Sequence, residues 1–464
     1  MESPLVLVMA AGEGTRMRSS LPKMLHPVCG RPMVAWPMLA AREAGAGQIA
    51  AIVSPERDIS AGLPEGVDTV TQPQPDGTGG ALRAALEQIR AAETVVVLSG
   101  DHPLISSKMI SGLLAAHLEA GAAATVMTAV LDDPGSYGRI VRDEANGDLL
   151  RIVEAKAPGD ATPEELKIRE VNAGTYALAA APLAEALEQI DNDNAQGEYY
   201  LGDVLPLIRE AGLRVIAHTS PDVTVMLGVN TRAELAEAEA EARRRILEAH
   251  MLAGVTIVDP ASTWVDADVA IDADVRIEPG TSLHGSTTIG TGSVVGPLTT
   301  LVDSGLGEDV HVPHSYLVDC DVRDGCRVGP FAYLRPGASL MPSAKAGAFV
   351  EIKNSQIGEG AKVPHLAYVG DADVGSGSNL GAGTITANYD GFRKDRTVIG
   401  KNARIGVDTM LIAPVEVGDD AYTGAGTVVK DDVPDGALAV SDNDQRNIEG
   451  YAERRAAEAR EEGS

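Results

Sequence analysis

Hydrophobic and polar positions follow three successive patterns along the chain. Over residues 1–229, short apolar runs rich in β-branched residues alternate with stretches rich in Ala, Leu and Glu. LVLVMAAG at 5–12, QIAAIVS at 48–54 and TVVVLSGD at 94–101 are such runs, and ALRAALEQIRAAE at 81–93 is such a stretch. The runs are nearly continuous, as in strands buried on both faces. Strands separated by helices predict an α/β domain with a mostly parallel sheet. Residues 230–253 then read as one long, highly charged helix linking two domains. Thr231 and Glu234 have capping-box spacing, and Gly254 is a natural stop. The same segment also fits the last helix of the first domain.

From 254 to 440 the period becomes six. Val265, Ile271, Ile277, Leu283, Ile289, Val295 and Leu301 form one train, and Val310, Tyr316, Val322, Val328, Leu334 and Leu340 a second. Ile357, Val363 and Val369 form a third, and Ile399, Ile405, Leu411 and Val417 a fourth. Glycine often follows the aliphatic residue, as at Ile289-Gly290 and Val328-Gly329. Six residues match neither a helical turn nor a simple antiparallel strand; this period marks a parallel β-helix. Three hexads make one triangular coil, each aliphatic residue points inward, and stacking of coils buries the apolar surface. The trains break near 302–310, 341–352 and 386–397, where loops are expected to leave the coil on functional faces. Residues 441–464 are polar and charged and read as a mobile tail with room for a short helix.

The length of 464 residues corresponds to about three domains at roughly 150 residues each. Fifty glycines with only 3% aromatic residues disfavour a helical bundle, and 44% hydrophobic content excludes a disordered chain. Lys and Arg number 38 against 67 Asp and Glu, a net charge of −29. Such a surface repels polyanions at long range, so no nucleic-acid partner is expected. A nucleotide bound here must meet a local basic patch or a metal ion. Cys29, Cys320 and Cys326 are odd in number and form no C-x-x-C pair, which points to a reducing compartment rather than a disulfide or zinc scaffold. No apolar run approaches the roughly 18 residues that a spanning helix needs, so no membrane association is expected. The opening MESPLVLVMAAG lacks a basic stretch and a cleavage site, and a cytoplasmic protein is expected.

The first apolar run leads into Ala10-Ala11-Gly12-Glu13-Gly14-Thr15-Arg16-Met17-Arg18. A Gly-rich loop after the first strand can present backbone N–H groups to phosphate. The Gly-Lys-Ser/Thr ending of a Walker loop is missing, as is the third glycine of the dinucleotide fingerprint. Arg16 and Lys23, the latter in Leu21-Pro22-Lys23, supply the local positive charge that an acidic chain needs.

The run Gly12-Glu13-Gly14-Thr15-Arg16-Met17, followed by Leu21-Pro22-Lys23, resembles the signature of sugar-phosphate nucleotidyltransferases. With the hexad repeats behind it, the chain from about 5 to 440 resembles the bifunctional N-acetylglucosamine-1-phosphate uridyltransferase / glucosamine-1-phosphate N-acetyltransferase family. The resemblance implies a Rossmann-like α/β nucleotidyltransferase domain at 1–229 and a linker helix at 230–253. A left-handed hexapeptide β-helix with acetyltransferase activity would follow at 254–440, then a flexible tail at 441–464.

For the first domain the resemblance implies transfer of uridylyl from UTP to N-acetylglucosamine 1-phosphate, with Mg²⁺ as cofactor. Ala10, Ala11, Gly12 and Glu13 would touch the uracil and phosphates, and Arg16 and Lys23 would neutralise the triphosphate. Gln72, Gly77 and Thr78 would read the uracil edge and ribose. Ser99, Gly100 and Asp101 follow a buried strand, and Asp101 and Asn230 would be the metal ligands. Gly138, Glu154 and Asn172 would hold the acetamido sugar. The nucleophile is an anionic phosphate oxygen, so positioning and charge neutralisation carry the reaction. By residue type alone, Asp101 also fits a helix N-cap, Asn230 the cap of the next helix, and Lys23 an ordinary surface lysine.

For the second domain the resemblance implies acetyl transfer from acetyl-CoA to the amine of glucosamine 1-phosphate. An amine must lose a proton before attacking a thioester, and imidazole titrates in the right range. His365 matches the family's base. Arg335, Lys353 and Lys394 would clamp the sugar phosphate, and Tyr368, Asn379 and Asn388 would orient the sugar. Ala382, Asn388, Tyr389, Val407, Ala425 and Arg446 would border acetyl-CoA. No cysteine stands in these motifs, so no acyl-enzyme is expected. His365 alone also fits a solvated corner residue, and 388–396 a tolerated insertion. His284, His311 and His314 carry no such motif and read as structural. The resemblance further implies a homotrimer with acetyltransferase sites between subunits. Asp442 stands where the family often has a basic residue against CoA, with Arg446 close by, and Val407 replaces a frequent small polar residue. Two other readings stay open on residues alone: a single-activity nucleotidyltransferase whose β-helix serves assembly, and a scaffold subunit with a degenerate loop.

Overall fold

In the computed structural model the first apolar run forms the strand Leu5–Met9, and its side chains alternate between two cores. Val6 and Val8 pack with Val96 and Leu98 on one side. Leu5 and Leu7 pack with Val95 and Val97 on the other. Both faces are covered, which is why the sequence shows no polar alternation here. The structure describes residues 3–155, 161–193, 197–441, 445 and 447–461; Asp442 and Arg446 lie outside the described residues.

The main sheet runs in the order Val215–Thr219, Ala124–Val130, Glu170–Ala179, Thr94–Ser99, Leu5–Met9, Gln48–Val53, Asp68–Thr71. Neighbours are parallel except around Glu170–Ala179, which is antiparallel to both of its partners on this path. Strands Arg139–Arg142 and Leu149–Val153 branch from it. The stretch at 81–93 is divided into two helices, Thr78–Ala84 and Leu86–Arg90. The division falls at Ala85, whose N–H bonds Leu82 O three residues back instead of continuing the α-helical ladder.

The charged helix spans Arg232–Leu252. Its capping box forms as expected: Thr231 Oγ1 accepts from the Glu234 N–H at 3.2 Å, and Glu234 Oε2 accepts from the Thr231 N–H at 2.8 Å. The chain divides into two compact units, residues 1–248 with 265–268, and residues 249–264 with 269–464.

The second unit is a left-handed parallel β-helix whose sides are sheets of 11, 10 and 9 strands. Inward residues stack in register, as in the column Leu283, Leu301, Leu317, Leu334, Ile352 and Val369. Buried corner hydroxyls pair the backbone of successive coils: Ser293 Oγ donates to Gly307 O and accepts from Val310 N–H, both at 3.0 Å.

Two of the three expected breaks are not loops. At 302–310 one side of the coil is a residue shorter, so the inward position steps from Leu301 to Leu306, and Gly305–Leu306 pairs with strands on both sides. The same five-residue step places Leu317 inward, and Tyr316, assigned to a train, faces solvent. At 341–352 the coil continues with alanine in the inward place: Ala344 and Ala346 are fully buried, and Lys345–Ala348 is paired on both edges. Only the third break leaves the coil, between Ala387 and Thr397, where Tyr389 bridges Lys394. The tail carries an exposed helix, Tyr451–Glu461. All three cysteines are free and buried. Among the described residues no helix is long and apolar enough to cross a membrane.

Candidate functional site

A cavity of about 790 Å³ opens where the strands Leu5–Met9 and Thr94–Ser99 end. That is the carboxyl edge of a parallel sheet, where α/β folds bind ligands. Ala11, Gly12, Glu13, Lys23, Gln72, Gly77, Thr78, Ser99, Asp101, Glu154 and Asn172 all line it. Sequence reasoning had singled out each of these.

Lys23 is the centre of the cavity's polar chemistry. It is only 7% exposed, and its Nζ donates to Asp101 Oδ2 at 2.6 Å and to Asn230 Oδ1 at 2.8 Å. Ser99 Oγ donates to Asp101 Oδ1 at 2.6 Å. Burial opposes the Asp101 charge, but the positive groups beside it, His102 when protonated and Lys23, with hydrogen bonds from Lys23 and Ser99, hold its carboxyl below the usual range. Burial, with the Lys23 charge adding to it, pushes the His102 imidazole down against the opposing pull of Asp101. Three alternatives end here. Asp101 caps no helix, because the following helix starts at Ser107 and is capped by Ser106. Asn230 is not the cap of Arg232–Leu252, since Thr231 Oγ1 does that work. Lys23 is not at the surface.

The other predicted residues build the walls or stand behind them, and Ala10, Gly100, Gly138 and Asn230 do not themselves line the cavity. The Ala10 N–H is spent on Ile52 O and the Gly100 N–H on Met9 O, each at 2.9 Å, so both hold the loops in place from beneath. Gln72 donates to Asp76 Oδ1 at 2.8 Å and Gly77 O at 3.1 Å. Gly77 has φ +98°, and a Cβ there would sit 2.5 Å from Tyr199 O. Thr78 Oγ1 accepts from the Leu201 N–H at 2.9 Å. Gly138 O accepts from the Asn172 N–H at 2.9 Å. Arg16 is the outlier: it is exposed on the turn Thr15–Met17 and does not line the cavity. Its charge acts on Glu234.

The cavity also holds Arg151, Tyr176, Glu198, Tyr200 and Asp203, which sequence reasoning missed. For Tyr176 a signal existed. Residues 172, 174 and 176 of VNAGTY share one face of a strand by their spacing. Tyr176 accepts from Asn172 Nδ2 at 2.9 Å, while Asn172 Oδ1 takes the Gly174 N–H at 2.9 Å. Burial pushes the Tyr176 hydroxyl up to about 12. Glu198, Tyr199 and Tyr200 arrive from a segment remote in sequence, and nothing local marks them.

In the β-helix, His365, Ala382, Val407 and Ala425 each stand two residues after an inward position, namely Val363, Leu380, Ile405 and Thr423. The register Lys362, Asn379, Arg404, Tyr422 therefore stacks them in one corner column headed by His365. Asn379 lies on the same side of the coil, in the 11-stranded sheet. Tyr368 follows the corner, on the 10-stranded sheet, paired between Glu351 and Ile385. Arg335 donates to Glu351 at 2.8 Å. Lys353 and Asn388 lie at the far end of that face, both against Asp371. Tyr389 and Lys394 are exposed on the excursion beyond Ala387. Asp371 is buried, and although burial opposes its charge, hydrogen bonds from Asn354, Asn388 and Lys353 hold its carboxyl below the usual range. Sequence reasoning did not name it.

The fold and the two residue sets define a nucleotidyltransferase joined to a hexapeptide-repeat transferase. The family of MobA-like NTP transferase domains matches residues 6–250, and the bacterial transferase hexapeptide family matches residues 396–431. A bifunctional GlmU protein of Kineococcus radiotolerans is 49% identical, the match covering 96% of this chain and 91% of the relative. The GlmU proteins of Corynebacterium efficiens and Mycobacterium bovis are each 47% identical, over 98% and 97% of this chain and 94% and 92% of theirs. The chain belongs to the family of bifunctional GlmU proteins, enzymes with an NTP transferase domain and a hexapeptide acetyltransferase domain.

Proposed function

We propose that the first unit transfers uridylyl from UTP to N-acetylglucosamine 1-phosphate, and the second acetylates glucosamine 1-phosphate with acetyl-CoA. The observation that supports this most is that the two chemically different residue sets fall in different units, the set around Lys23 in the first and the set around His365 in the second. Asp101 and Asn230 offer oxygen donors that already converge on one cationic point, a set that suits a hard divalent ion such as Mg²⁺. When bound, the ion would neutralise phosphate charge. Lys23 lies in the same cavity, and its ammonium would take the triphosphate's negative charge. Gly12 and Glu13 would let the phosphates approach the backbone, and Gln72, Gly77 and Thr78 would set the uracil and ribose. Gly138, Glu154 and Asn172 would hold the acetamido sugar so that its phosphate oxygen attacks the α-phosphorus in line, with pyrophosphate leaving. Arg16, outside the cavity lining, would act only after moving toward the phosphates.

In the second unit His365 would accept a proton from the sugar ammonium, freeing the amine to attack the thioester carbonyl. The CoA thiolate leaves and takes up a proton. Arg335, Lys353 and Lys394 would meet the phosphate, Tyr368 and Asn379 the sugar, and Ala382, Asn388, Tyr389, Val407 and Ala425 the CoA arm. Arg446 is assigned the same CoA role. Direct transfer suits a chain whose Cys320 and Cys326 thiols burial pushes up to about 11.

A homotrimer would complete the acetyltransferase sites, which would lie between subunits. Phe331, Phe349 and Leu366 form a solvent-facing corner column, with Phe331 and Phe349 stacked at 5.3 Å and Leu366 next to His365. Apolar side chains so exposed suit burial against a second copy. The test is to assay both reactions in His365→Ala and Asp101→Ala proteins. Loss of acetyl transfer alone in the first and of uridylyl transfer alone in the second is expected. Loss of both activities from a single folded variant would overturn the two-site assignment.

A further inference from the structure

Asp371 has no role in the chemistry above, yet more of the second site converges on it than on any residue assigned there. It occupies a corner with φ 49° and is buried. Lys353 Nζ lies 3.4 Å from its Oδ2, Asn388 Nδ2 donates to the same oxygen, and Asn354 Nδ2 donates to Oδ1 at 2.6 Å. Its N–H donates to Lys353 O at 3.0 Å, and its C=O accepts the Thr397 N–H at 3.1 Å. Asn388 and Thr397 are the entry and exit of the excursion that carries Tyr389 and Lys394. The neck of that excursion is closed by the Asp395 N–H on Asn388 O at 3.0 Å. One residue therefore grips the lysine of one coil and both ends of the excursion from the next.

A corner alone does not call for a buried carboxylate. The aspartates at other positive-φ corners, such as Asp303, Asp319 and Asp408, are exposed, and Asn354 and Asn402 use a neutral amide. Burying a charge is costly unless donors converge on it, and here they do.

We propose that Asp371 is a positioning residue for acetyl transfer, fixing the Lys353 ammonium toward the sugar phosphate and anchoring the 388–396 excursion. This rests on the acetyltransferase reading of the second unit. Asp371→Asn and Asp371→Gly both tolerate a positive φ and remove the charge. Each is made in the full chain, alone and with Lys353→Ala, and both reactions are followed while glucosamine 1-phosphate and acetyl-CoA are varied separately. The expected result is a KM for glucosamine 1-phosphate raised about tenfold, with a smaller change in the KM for acetyl-CoA, as lost orientation of a binding group produces. In the Lys353→Ala background the same substitutions should raise that KM by a smaller factor, since the Lys353 part of the effect is already gone and only the excursion's anchor is left to lose. Circular dichroism and thermal unfolding of the full chain are the folding control, and uridylyl transfer reports on the first unit. An unchanged sugar-phosphate KM in both variants overturns the proposal, and so do effects of Asp371 and Lys353 that multiply independently. If the unaltered chain transfers no acetyl group to glucosamine 1-phosphate, the acetyltransferase reading itself falls, and the positioning role with it.

Discussion

A single methyl group at Gly14 isolates the contribution of Lys23. Gly14 has φ +63°, where an alanine costs about 1–2 kcal/mol in backbone strain. The added Cβ would lie 2.5 Å from Lys23 Cβ, roughly 0.9 Å short of ordinary contact at 3.4 Å. Lys23 Cβ cannot swing aside, because it belongs to the turn Lys23–Leu25, whose Met24 is buried. The stem must retreat, and Nζ cannot then keep both its 2.6 Å bond to Asp101 and its 2.8 Å bond to Asn230. A misplacement of about 1 Å in a positioned group costs on the order of 100-fold in rate. Gly14→Ala should therefore lower kcat/KM for uridylyl transfer by about that factor, read as pyrophosphate released from UTP and N-acetylglucosamine 1-phosphate. Acetyl transfer, read as free CoA thiol, should be unchanged. At Gly12 a Cβ would meet nothing within 4 Å, so Gly12→Ala leaves the protein intact and reports only how closely the ligand approaches. Uridylyl transfer within about threefold of the unaltered chain in Gly14→Ala would refute the central place given to Lys23.

Two further outcomes follow from the geometry. Hydrogen bonds from Arg244, then Arg245, pull the Glu241 carboxyl down to about 2 against the effect of burial. A depressed carboxyl stabilises the fold above its unfolded value of about 4.3 and loses that contribution as the pH falls toward its folded value. With solvent screening, Glu241→Gln should cost ~1 kcal/mol at pH 7 in urea denaturation, and about half of that difference should be gone at pH 3. An equal difference at both pH values counts against the ion-pair account. If the proposed trimer forms through this corner, replacing Phe331 and Phe349 together by serine should convert it to single chains in analytical ultracentrifugation and remove acetyl transfer, with uridylyl transfer retained. A double variant that still sediments as a trimer shows that this corner is not the interface.

The β-helix was legible because a solenoid is local: each inward residue is buried by its equivalents a fixed number of residues away. The loop from Gly12 to Lys23 was legible because phosphate recognition needs small residues and cations close together in the chain. The phase of the coils was not. Leu306 and Leu317 are inward and Tyr316 outward because stacking neighbours, not residue type, define the inside of a five-residue side. Ala346 was passed over because a small residue in a core position resembles a loop until its paired strands are seen. Lys23 looks like any surface lysine until folding brings Asp101 and Asn230, 78 and 207 residues away, onto its ammonium. Asp371 carries no motif at all, and its importance lies in donors from the coils on either side of it. Periodicity, strand burial and helix capping depend on near neighbours and are written along the chain. Which charges are buried together follows from folding, because a buried charge is stabilised by partners that the chain order does not reveal.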